Sequence, residues 1–108
     1  MYDANARSCH GPSLNYININ PNNGTRRFGA GARLGPIYYR TYQYDNYTIN
    51  AGSCPWVGLA GHALGGGYGL ISRLHGLLSD NILEMKAVTA QGKYKFLNLS
   101  SQIEICFR

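Results

Sequence analysis

Seven of the nineteen residues from Ala51 to Gly69 are glycine, and among them stand one thiol, Cys54, and one imidazole, His62. A thiolate is a nucleophile, and an imidazole can donate a proton to a developing negative charge. Glycines 52, 58, 61, 65, 66, 67 and 69 leave backbone N–H groups unobstructed, so the stretch can cradle a flat or phosphorylated cofactor. Read on glycine content alone, it is equally a flexible loop. It is not a phosphate-binding P-loop, because no Lys-Ser/Thr pair follows the glycines, and neither it nor the earlier run Gly29 to Gly35 has the G-x-G-x-x-G spacing.

The flanking segments are the elements that must position this stretch. Tyr16 to Asn20 alternates apolar and polar residues, the pattern of a half-buried strand, and Asn23-Gly24 is a hairpin-turn signal leading into a second strand over Thr25 to Ala32. Gly35-Pro36 reads as a helix start, with Leu34, Ile37, Tyr38 and Thr41 at helical spacing and an end near Asp45-Asn46. Tyr47 to Asn50 reads as a short strand entering the glycine-rich stretch. From Tyr68, the positions Leu70, Ile71 and Leu74 suit one or two helical turns, stopped by Gly76 as a left-handed cap. Ser79-Asp80-Asn81 is a turn. Ile82 to Thr89 is a strand with Leu83, Met85 and Ala87 on one face and Glu84 and Lys86 on the other, and Gln91-Gly92 turns the chain into Lys93 to Leu99. The class is α+β, with mixed or antiparallel strands and two short helices. Tyr38, Tyr39, Tyr42, Tyr44 and Tyr47 read as half-buried packing on an amphipathic helix, with a stacking surface as the other reading.

The ordered series Gly52-Ser-Cys-Pro-Trp-Val-Gly-Leu-Ala-Gly-His-Ala-Leu-Gly-Gly-Gly-Tyr-Gly69, Gly76-Leu-Leu-Ser-Asp-Asn-Ile82 and Val88-Thr-Ala-Gln-Gly92, preceded by Gly29-Ala-Gly-Ala-Arg-Leu-Gly35, resembles the FAD-linked oxidases of the berberine bridge enzyme group. That group lies within the vanillyl-alcohol oxidase/p-cresol methylhydroxylase superfamily. The resemblance runs from about Leu14 to Leu97. It implies a partial FAD-binding domain over 1–108, with atypical ends at 1–13 and 98–108. It also implies an enzyme in which a small-molecule alcohol, sugar or alkaloid passes a hydride to the flavin, and dioxygen reoxidises the flavin to give hydrogen peroxide.

Several residues acquire roles through that resemblance. Cys54 matches the cysteine that bonds to C6 of the flavin ring, making covalent FAD attachment an expectation. Val57 matches the position that governs oxygen access, and His62 the histidine near flavin N1 and the ribityl chain. Gly58, Gly61, Gly65, Gly66 and Gly69 would let the backbone pack on the cofactor, while Asn81, Ile82 and Val88 match segments near the adenine end. The family's upstream Gly-Gly-His is only echoed by Arg7-Ser-Cys-His-Gly11, so His10 is not assigned to the flavin. No residue matches the family's catalytic base or substrate domain, so the 108 residues alone are not expected to turn over substrate.

Composition bounds the alternatives. The chain has 108 residues, ten Lys plus Arg against five Asp plus Glu, and 44% hydrophobic residues, enough for one domain at most. Only 14% of residues are charged, whereas Gly, Tyr and Asn are abundant, which is a folding composition and not that of a disordered chain. The net charge of +5 is scattered, with Arg26-Arg27 the only adjacent basic pair, so no nucleic-acid partner is expected. No run approaches the length of a membrane span, and Met1 to Asn5 lacks the features of a signal peptide. Three cysteines, Cys9, Cys54 and Cys106, with no C-x-x-C pair indicate neither a disulfide framework nor a zinc site, and no metal is expected. Sequons at Asn23, Asn46 and Asn98 point to a secretory lineage. Two other functional readings remain: a catalytically inactive remnant of the oxidase, and a basic, tyrosine-rich module binding carbohydrate or nucleic acid.

Overall fold

A computed structural model of the protein describes residues 14–22, 24–45, 47–88, 90–97 and 102–107. The asparagines of the three sequons, Cys9, His10 and Thr89 lie outside them. The elements in chain order are β1 (Ile17–Ile19), β2 (Arg26–Gly29), α1 (Leu34–Asp45), α2 (Leu59–Leu64), α3 (Ser72–His75), β3 (Ile82–Val88), β4 (Tyr94–Leu97) and β5 (Gln102–Phe107). A turn of 3₁₀ helix, Ser79–Asn81, leads into β3. The strands form one sheet in the order β1-β2-β5-β3-β4, with every described pairing antiparallel.

The first hairpin forms where alternation and turn chemistry place it. Ile17 faces Phe28 across β1 and β2, and Gly24 turns the chain at φ +68°. Gly29 is glycine for a different reason: a β-carbon there would run into the Leu14 carbonyl, where the incoming chain crosses β2. The fully buried Phe28 of β2 belongs to one hydrophobic cluster with Leu34 and Ile37 of α1, Leu59 of α2, and Leu78, so the core lies between the sheet and the helices. Thr41 is buried within α1, and its hydroxyl donates back to the Ile37 carbonyl at 2.9 Å, which satisfies a polar group that could not otherwise be buried cheaply.

Six expectations are corrected. The glycine-rich stretch is not loop throughout: Leu59 and Ala63 turn into the core and fold its middle into α2, a third helix beside the two expected. Tyr47 to Asn50 forms no strand, because Ile49 and Asn50 are drawn inward by burial and by side-chain hydrogen bonds instead of ladder pairing. The helix expected from Tyr68 is only Ser72–His75, and Leu70 and Leu74 face outward. Gly76 ends it at φ +75° and ψ −168°, a conformation for which glycine is needed but which is not the left-handed helical cap. Along β3 the register shifts twice against β5, between Ile82 and Glu84 and between Glu84 and Lys86, so both Ile82 and Met85 reach the core despite opposite parity. Finally, Tyr39, Tyr42, Tyr44 and Tyr47 are exposed, and only Tyr38 is half-buried and packed on the core.

The atypical tail has a structural position that no motif announced. Strand β5 lies between β2 and β3 and joins the two hairpins into one sheet, with Phe28 opposite Ile105 and Ile82 opposite Phe107. Tail residues thus supply the middle of the sheet.

Candidate cofactor site

The Cys54 loop is fastened to the start of α1. The first N–H groups of a helix have no partner within it, and here loop carbonyls accept them. Leu34 N–H donates to the Val57 carbonyl at 3.1 Å and Gly35 N–H to the Pro55 carbonyl at 2.9 Å. Within the loop, Val57 N–H donates to the Cys54 carbonyl at 3.3 Å. Leu59 N–H then reaches the Ala32 carbonyl at 2.8 Å, and a bridge pairs Arg33 with Gly58. Cys54 is a free, exposed thiol on this framework. Val57 is half-buried and packs on the core, and Trp56 lies exposed with the Arg33 guanidinium 5.4 Å from the ring centroid.

His62 turns back from α2 onto the same loop. Its Nε2 accepts the Gly52 N–H at 2.9 Å, so in the neutral ring the proton sits on Nδ1. The donor that the sequence assigns to His62 is therefore Nδ1–H. The opposite side of Gly52 is held as well, because the Tyr38 hydroxyl donates to its carbonyl at 2.6 Å. Burial raises the Tyr38 pKa above its ordinary 10.0, which keeps that hydroxyl protonated and donating.

The glycines divide into two kinds. At Gly58 and Gly61 a β-carbon would meet nothing within 4 Å, and both residues are exposed, so bare backbone faces outward along the start of α2. Gly65 is also exposed, with only ordinary contacts to the Gly61 and His62 carbonyls. Gly66 and Gly67 turn the chain at φ +94° and +71°, and their carbonyls accept the Ser79 and Leu78 N–H groups at 3.0 and 2.9 Å. Gly69 is buried, and a β-carbon there would collide with the Ala51 carbonyl and the Asn50 amide oxygen. Its space is already filled by the protein.

Behind that contact, Asn50 ties two segments together. Its Nδ2 donates to Ser72 Oγ at 2.9 Å and to the Gly76 carbonyl, and Ser72 Oγ accepts the Gly69 N–H at 2.9 Å. Replacing Asn50 with alanine leaves part-buried acceptors unmatched, and a loss of about 1–3 kcal/mol is expected. Urea unfolding of the variant checks this, and an unchanged midpoint would refute it. Asn81 has a related role, with its Nδ2 donating to the His75 and Leu77 carbonyls at 2.9 and 2.8 Å. Ile82 is buried at the start of β3, and Val88 is exposed at its far end, so the three residues expected near an adenine do not share one environment.

The framework places Cys54, Val57, Gly58, Gly61 and His62 on one connected loop and helix. The same framework carries the family relationship: the model of a family described as FAD binding domain matches residues 12–98. The chain belongs to that FAD-binding family.

Its relatives are of the berberine bridge enzyme-like kind. Berberine bridge enzyme-like D-1 of Nicotiana tabacum is 40% identical over 81 residues, covering 74% of this chain and 14% of that protein. Tetrahydroberberine oxidase of Argemone mexicana is 39% identical over 79 residues, covering 71% of this chain and 14% of that protein. The solved structure of Physcomitrella patens BBE-like 1 superposes with a TM-score of 0.80 and 37% identity, covering 88% of this chain and 24% of that one. The chain thus spans about a seventh of the length of these two curated relatives.

The site's chemistry fits the cofactor of this FAD-binding domain. Gly58 and Gly61 expose backbone with no β-carbon in the way, which suits the close approach of a planar ring. An exposed thiol stands a few residues away on the same hydrogen-bonded loop. The polar groove of about 200 Å³ on the β1–β2 hairpin, lined by Asn18, Asn20, Thr25 and Arg27, includes none of these residues. Sequence reasoning missed Tyr38 as a site residue. Its helical spacing marked it only as packing, and nothing local signals a bond to a residue fourteen positions away.

Proposed function

We propose that this chain is the flavin-holding part of an FAD-linked oxidoreductase acting on a small alcohol, sugar or alkaloid. The bound flavin supplies the redox chemistry, taking a hydride from substrate and returning the electrons to dioxygen as hydrogen peroxide. The residues of this chain bind and orient it. Gly58 and Gly61 offer open backbone to the ring, and Gly65 and Gly66 continue that edge toward the ribityl chain. His62 Nδ1–H donates toward the negative charge that develops on reduction. Val57, held half-buried beneath the Cys54 turn, limits how closely oxygen approaches. Cys54 forms a covalent bond to the ring, while Asn81, Ile82 and Val88 support the segment toward the adenine.

The observation carrying this reading is the single hydrogen-bonded framework that carries both the exposed Cys54 thiol and the unobstructed backbone of Gly58 and Gly61. It is tested on the full natural polypeptide, purified and mixed anaerobically with a panel of alcohols, oligosaccharides and benzylisoquinoline-type amines. One class of substrate should bleach the flavin absorbance, and readmitted oxygen should restore it with stoichiometric peroxide. Protein purified without flavin would overturn the reading. Flavin that no member of the panel bleaches would reduce the protein to the inactive remnant.

A further inference from the structure

We propose that the first turn of α1 positions the Cys54 thiol, with Tyr38 and Gly35 as positioning residues for its bond to the flavin. The proposal rests on the attachment reading above. Cys54 is exposed, so packing against neighbouring side chains does not fix its place. What fixes it is backbone anchorage on both sides, all of it from residues 34–38 and the facing imidazole. On the N-terminal side, Gly52 is gripped on both of its flanking peptides: its carbonyl by the Tyr38 hydroxyl at 2.6 Å and its N–H by His62 Nε2 at 2.9 Å. On the C-terminal side, the Pro55 and Val57 carbonyls accept the Gly35 and Leu34 N–H groups at 2.9 and 3.1 Å. The thiol thus sits midway along a short span whose two ends are pinned to one helical turn.

Gly35 determines how closely that span approaches the helix. A β-carbon at Gly35 would stand 2.8 Å from Pro55 Cβ and 3.2 Å from the Pro55 carbonyl oxygen, so any larger residue lifts the loop. Tyr38 acts through the opposite end. Its hydroxyl is half-buried, stays protonated, and has the Gly52 carbonyl as acceptor. Bond formation between a thiolate and a ring carbon depends steeply on the approach geometry, so a small drift of the loop slows it without emptying the site. In the step itself, the Cys54 thiol gives up its proton and forms one C–S bond, and the ring carbon loses its hydrogen as a proton. The two electrons released pass with those protons to dioxygen, which becomes hydrogen peroxide.

The test uses the full natural polypeptide prepared without flavin, reconstituted with FAD, and followed by intact mass under denaturing conditions. Non-covalent FAD affinity and thermal midpoint are measured alongside. Tyr38→Phe keeps the ring and removes one hydrogen bond, so adduct formation should slow about fivefold while FAD affinity holds. Gly35→Ala should slow it as well, and Tyr39→Phe, whose hydroxyl is on an exposed residue and among the described residues takes a bond only from Gln43, should match the native rate. Native-rate adduct formation in both Tyr38→Phe and Gly35→Ala would overturn the proposal. So would a fall in rate matched by an equal fall in FAD affinity, which marks a merely structural effect. If the native protein itself gains no adduct at Cys54, the attachment reading fails first, and the two failures are thereby distinguished.

Discussion

Cys54→Ala is expected to abolish the covalent flavin adduct while leaving the fold intact. The substitution removes the only thiol on the Gly52–Gly58 loop. Because Cys54 is exposed and the loop is held through main-chain groups of Gly52, Pro55 and Val57, stability should change by no more than about 0.5 kcal/mol. The effect on the bond to this thiol is all or none, since alanine offers no nucleophile. Acid precipitation separates the outcomes: flavin pellets with the native protein and stays in the supernatant with the variant. The corresponding denatured mass should fall to that of the bare polypeptide. Flavin that still pellets with Cys54→Ala would show a bond at another residue, and a peptide map of the native adduct with no flavin on Cys54 would remove Cys54 from the site.

The second large effect is a contrast between two glycines that motif matching treats alike. Gly61→Leu puts a side chain into open space on the outer face of α2, where a β-carbon meets nothing within 4 Å. In the flavin-free protein this should be neutral or stabilising by about 0.5–1 kcal/mol, because glycine is a poor interior helix residue. Flavin affinity should nevertheless drop by about tenfold or more, since forcing a ring against an inserted side chain costs roughly 1–3 kcal/mol. Gly69→Ala should behave in the opposite way. Its methyl group would press on the Ala51 carbonyl and the Asn50 amide, both part of the buried frame, and about 1–3 kcal/mol of stability should be lost even without flavin. Thermal unfolding of the two flavin-free variants, followed by FAD titration, measures both arms. If Gly61→Leu binds FAD as tightly as the native chain, the outer face of α2 is not the cofactor side.

The chemistry of the site was more legible than its support. Glycine spacing, Cys54 and His62 are local facts, and their order along the chain was enough to bring the family into view. The first hairpin and α1 were legible for the same reason, because alternation across Tyr16 to Asn20 and the apolar spacing of Leu34, Ile37 and Thr41 are decided within a few residues. Segments whose conformation depends on distant partners were not legible. Glycine-rich sequence hid α2, whose two inward residues, Leu59 and Ala63, have meaning only against Phe28 and its neighbours. The strand expected at Tyr47 to Asn50 failed because Asn50 bonds to residues more than twenty positions later.

By itself the sequence determined the family, the α+β class, and which residue types could meet a flavin. These follow from short-range pattern and side-chain chemistry. Tertiary structure alone decided which glycines are open backbone and which are packing, because that depends on what stands opposite each missing β-carbon. It also decided the role of β5 as the strand that joins the two hairpins, since pairing partners across a sheet are not encoded in a strand's own residues. The clamp on Gly52 is of the same kind: Tyr38 and His62 hold the carbonyl and the N–H of one residue from two helices, and only the packing of those helices brings them together.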